Sequence, residues 1–128
     1  MKKLNFIIIA MLLCTTSLAQ ENTAGWPQME KFHTYMSASF HPAEENNLAP
    51  LKLKADSLYI AAKAWQASPI PSNFKQAETK AALKDLVQQC DHIRMAVREN
   101  MSDDHLKKII SSAHDTFHKI SGECRKDH

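Results

Sequence analysis

The sequence predicts an all-α protein, an antiparallel up-and-down four-helix bundle in a single domain. Two observations carry this. The chain has only two glycines, Gly25 and Gly122, both near the ends of the predicted domain, and its Val, Ile and Thr residues never alternate as a half-buried strand requires. Its apolar residues instead recur at spacings of three and four, in four segments parted by prolines and polar clusters. The intervening stretches are short, and short connections set consecutive helices side by side and antiparallel.

The first helix is expected to start near Ala24 with Pro27 in its first turn, where the missing N–H costs nothing. Met29, Phe32, His33, Met36 and Phe40 then form one face. Pro42 and the run Glu44, Glu45, Asn46, Asn47 are expected to break it. The second helix starts near Pro50, turns Leu51, Ala55, Leu58, Ala62 and Trp65 inward, and stops at SPIPSN, residues 68–73. Trp65 reads as a core plug.

The third helix runs from about Phe74 to Glu99 with Ala82, Leu86, Cys90, Ile93 and Val97 as its stripe. Asn100 and Met101 turn the chain. Ser102 is a natural N-cap, and Asp103 and Asp104 suit the positive end of a helix dipole. Leu106, Ile109, Ala113, Phe117 and Ile120 follow as the inner face of the fourth helix.

Ahead of the bundle stands MKKLNFIIIAMLLCTTSLAQ, in which Lys2 and Lys3 precede an apolar run from Leu4 to Leu13 and the small-residue pattern ends at Ala19. This is the pattern of a secretory signal peptide, cleaved after Ala19, which makes residues 20–128 a periplasmic or secreted domain. The apolar run is shorter than the ~20 residues that span a bilayer. Cys14 follows Leu13 rather than a small residue, so a lipoprotein is not expected.

The formal charge of +2 comes from 16 basic against 14 acidic residues, and Lys2 and Lys3 account for the excess. The remaining domain is neutral apart from its histidines. With no basic stripe and no glycine-rich phosphate loop, nucleic acids and nucleotides are not expected partners. Cys90 and Cys124 are the cysteines of the domain. Antiparallel pairing of the third and fourth helices puts Cys90 level with Ser112, roughly 18 Å short of Cys124 at ~1.5 Å per residue. That exceeds the ~7 Å Cα limit for a disulfide, so two free thiols are expected.

All seven histidines lie in the domain. His114 and His118 stand four apart, which stacks two imidazoles on one helix face. Pairing Gly25 with Cys124 as neighbouring helix ends makes His33 face position 116, between them, and brings Met29 within a turn of His118. Two imidazoles at this spacing are a chelate for Cu, Zn or Ni; His33 is the expected third ligand, and Met29, Met36 or Cys124 could add a soft sulfur. Asp115 projects about 100° away and reads as a surface or supporting group. At the other end, His41, Glu44 and Glu45 are expected near Asp103, Asp104 and His105, an oxygen-rich cluster that could form a second metal site or a solvated helix end. His92 and His128 read as surface residues.

The layout resembles the soluble four-helix-bundle b-type cytochromes and the related cytochromes c-prime, exported proteins of similar size. In the b-type members a methionine early in helix one and a histidine near the end of helix four hold haem, and the resemblance assigns those roles to Met29 and His118. It implies noncovalent haem b and electron transfer with a redox partner. No CxxCH motif is present, which excludes covalent attachment. Three functions therefore stand as expectations: carriage, buffering or sensing of a transition metal, with a metal-donor protein as partner; haem-based electron transfer; and a metal-free structural or partner-binding bundle. Catalysis is not expected: a hydrolytic metal site keeps an open position and a general base in a cleft, and no substrate pocket is legible, while a di-iron carboxylate centre uses two Glu-x-x-His motifs and the chain has one, Glu30 to His33.

Overall fold

The computed structural model describes residues 25–126. The expected signal peptide, the expected helix start at Ala24, and His128 lie outside them. Four helices are present: α1 (Pro27–Glu44), α2 (Ala49–Ala67), α3 (Gln76–Arg98) and α4 (Asp103–His118), the last continued by a π-helical turn, Lys119–Glu123. Each packs on the next and α4 returns to α1, closing a four-helix bundle. The expected fold class holds.

Contacts between helix ends set the antiparallel register. Trp26 Nε1, at the start of α1, donates to Ser68 Oγ just past α2 at 2.8 Å. Arg98 Nη2 at the end of α3 donates to Asp56 Oδ1 early in α2 at 3.1 Å. At the closing end, Phe74 and Arg125 form an isolated β-bridge, in which Lys75 N donates to Cys124 O at 2.7 Å and Lys126 N to Asn73 O at 2.9 Å.

The helix boundaries follow local chemistry. Pro27 occupies the first turn of α1, behind the extended Trp26. Ser102 Oγ accepts from His105 N at 3.2 Å, the cap read from the sequence. Asn46 and Asn100, at φ 64° and 52°, take the left-handed conformation that ends α1 and α3. One boundary differs from expectation, because α1 runs through Pro42 to Glu44. The carbonyl of Pro42 still accepts from Glu45 N at 3.0 Å and Asn47 N at 2.9 Å, so a proline this close to the helix end costs little.

The core is aromatic around α1, α2 and α4. Trp65, fully buried, lies 5.4 Å from Phe32 and 6.0 Å from Phe117 between ring centroids, and Trp26 meets it edge-on at 5.5 Å. Such rings each bury roughly 150–250 Å² and set their neighbours by shape. Cys90 and Cys124 are both buried and free, and Gln89 Nε2 reaches Ser112 O at 3.5 Å, in keeping with the register that separated the two thiols. Among the described residues, no helix is long and apolar enough to cross a membrane.

Candidate metal centre

His114 and His118 stand one turn apart on α4, and their side chains converge. Nε2 of one lies 3.1 Å from Nε2 of the other, with the rings edge to face at 4.4 Å between centroids. A metal at ~2.0–2.1 Å from each nitrogen would subtend roughly 100° at that separation, between the square-planar and tetrahedral angles. Without a metal, one Nε2–H donates to the other nitrogen. To bind an ion, both rings must carry their proton on Nδ1 and present Nε2 lone pairs.

Packing holds this pair in place. His114 is half-buried and stacks on Phe40 of α1 at 3.7 Å between centroids and 11° between planes. His118 is exposed, with its ring 5.5 Å from that of Phe117. The pKa of His114 is lowered from the ordinary imidazole value, chiefly by burial and next by the neighbouring His118 and by His41, against a raising effect of Asp115 and Glu44. A lowered value keeps the imidazole neutral, and hence competent as a ligand, at neutral pH.

His41 approaches this pair. Its ring centroid lies 6.4 Å from that of His114, and its Nδ1 lies 3.8 Å from Glu44 Oε2, both side chains being exposed. His41 is the residue the sequence reading assigned elsewhere. The expected pairing set Tyr35 opposite His114, whereas Phe40 stacks on it, and that axial shift of several residues is what brings His41 near.

Other expected ligands are placed differently. His33 does not point inward; it is exposed, and Phe117 stacks against its ring at 4.8 Å and 7°. The apolar face of α1 consists of Met29, Phe32, Met36 and Phe40, and one residue's step of about 100° carries His33 to its rim. Met29 and Met36 are buried core side chains, while Asp115 is exposed. The cluster of His41, Glu44, Glu45 and His105 does not assemble: His41 sits toward His114, Glu45 caps α1, and His105 lies beside His92 of α3 at 5.7 Å between ring centroids. Among the described residues, no three His, Cys, Asp or Glu side chains form a ready-made metal-binding group.

The crevice a haem would need between α1 and α4 is filled by rings. Phe32 meets Phe117 at 5.9 Å, and the His33–Phe117 and Phe40–His114 stacks bridge the same two helices. Comparison with protein-family models, with curated proteins and with solved structures finds no match for the chain.

Proposed function

We propose that the protein is an exported four-helix bundle that binds a transition-metal ion at His114 and His118, with His41 swinging in from α1 as a third ligand, for carriage or buffering of the ion. The observation that carries this reading is the 3.1 Å separation of the two Nε2 atoms, which suits a shared Cu, Zn or Ni ion. The lowered pKa of His114 favours the same use. One anchored imidazole and two exposed ones leave coordination positions to water, and an exposed, open site exchanges its ion with a partner more readily than a closed four-ligand site. Metal transfer from a donor protein fits that openness.

Haem between Met29 and His118 is the weaker reading, because the macrocycle would have to displace Phe32, Phe117 and their stacked imidazoles. One experiment separates the two. Zinc and copper are titrated calorimetrically into the purified protein, and haem is added to a parallel sample. The expected result is stoichiometric copper or zinc binding that is lost in His118→Ala and weakened in His41→Ala. A Soret band lost in Met29→Ala, or metal binding indifferent to His118→Ala, would overturn the proposal.

A further inference from the structure

We infer that a second, separate transition-metal site lies between α3 and α4, held by His92 and His105, with the side-chain carbonyl of Gln89, one turn before His92, as a further donor. His105 and His114 are nine residues apart on α4, which is about 180° around the helix. The helix thus carries imidazoles on both flanks, one toward α1 and one toward α3. On the α3 flank the ring centroids of His92 and His105 are 5.7 Å apart, tilted by 35°. Imidazoles sharing one ion at ~2.0–2.1 Å per nitrogen have centroids roughly 5–6 Å apart.

Two further observations point to a ligand there. His105 Nε2 is sealed from solvent and bonds to no atom among the described residues, and Gln89 Oε1 is in the same state. Buried polar atoms are nearly always partnered, and an orphan ring nitrogen on one of two neighbouring imidazoles marks a place where a ligand belongs. Gln89 lies one turn before His92, and both line a recess of about 210 Å³ with Ile109 and Ser112. His92 is exposed, so its ring can turn toward an incoming ion while His105 stays fixed. Glu99 lines an adjoining recess that His92 also borders, and its carboxylate favours a cation, whereas that of Asp91 in the same recess accepts from Arg94 Nε at 2.6 Å.

The set of two imidazoles and a neutral oxygen suits Zn²⁺, Cu²⁺ or Ni²⁺ rather than Ca²⁺ or Mg²⁺, which take oxygen ligands. The site stands independently of His114 and His118. Its test starts from the His114→Ala/His118→Ala variant, into which zinc is titrated by calorimetry. One zinc ion per chain is expected to bind, and the added substitution His92→Ala, at an exposed position that leaves the helical circular dichroism unchanged, is expected to abolish it. Ring ¹⁵N resonances of His105 should shift on zinc addition in the starting variant and not after His92→Ala. Absence of zinc binding in the His114→Ala/His118→Ala variant, or binding unaltered by His92→Ala, overturns the inference while leaving the first site to its own experiment.

Discussion

Nε2 of His114 and Nε2 of His118 lie 3.1 Å apart, with the His114 ring pinned on Phe40 and the His118 ring open to water. The two residues therefore combine one anchored ligand with one accessible ligand. Replacing His118 by alanine should remove metal-dependent stabilisation and leave the metal-free fold within about 0.5 kcal/mol of its original stability, as is usual for an exposed position. A site saturated at a hundredfold excess over Kd adds about 2.7 kcal/mol. Thermal melts of wild type and variant, with and without zinc, measure both effects.

His114→Ala should behave differently from His118→Ala. It removes the same ligand pair and also the stack on Phe40, so the metal-free protein should lose about 0.5–1.5 kcal/mol beyond any effect of burial. Denaturant unfolding in a chelating buffer reads this directly, and equal metal-free stabilities for the two variants would contradict the packing role assigned to His114.

The pH dependence follows from the lowered pKa of His114. Between that lowered value and the ordinary imidazole value of 6.5, the unfolded chain binds more protons at this residue than the folded chain does. Stability therefore rises with pH through that window and is lost on acidification below it. His118, His41, Asp115 and Glu44 face the ring and shape the curve. His114→Gln should flatten the rise in melting temperature as pH is raised from about 5 to 7, and a wild-type profile that is unchanged by this substitution would refute the assignment.

Phe117 packs against Phe32 and Trp65 on one side and His33 on the other. Phe117→Ala should cost about 3–5 kcal/mol, measured by chemical denaturation. The same substitution unstacks His33, and the chemical shifts of its ring protons should move toward solvent-exposed values.

Burial pushes the Cys90 thiol up to about 12, and Cys124 is also buried. Neither should react with an alkylating reagent at neutral pH in the native state, because the thiolate is the nucleophile and the sulfurs are enclosed. Both should react fully in denaturant. Mass spectrometry after a short native pulse checks this, and fast modification of either cysteine would show that the packing around it opens readily.

The helices and their inner faces could be read from the sequence because they are local properties. Leu51, Leu58 and Trp65 repeat at the helical period, Ser102 offers a cap, and the scarcity of glycine and of strand patterning excludes a sheet. The i, i+4 relation of His114 and His118 is likewise a consequence of helix geometry alone, and it was legible at once. Other features depended on more than one helix. A side chain on the edge of an apolar face can fall inward or outward with a small rotation of the whole helix, which is how His33 came to the rim. The axial shift between α1 and α4 decided that His41, rather than His33, approaches His114. The pairing of His92 with His105, and the isolation of His105 Nε2 from water, depended on how α3 meets α4. The sequence by itself determined which segments are helical and most of the residues each buries, because periodicity and capping act within a few residues. Ala96 and Ile110 are buried where Val97 and Ile109 were expected, and those two lie at the edge of the core. Only the tertiary structure decided which imidazoles of different helices meet, because rotation and register between helices are set by how Phe32, Trp65 and Phe117 fill the space they share.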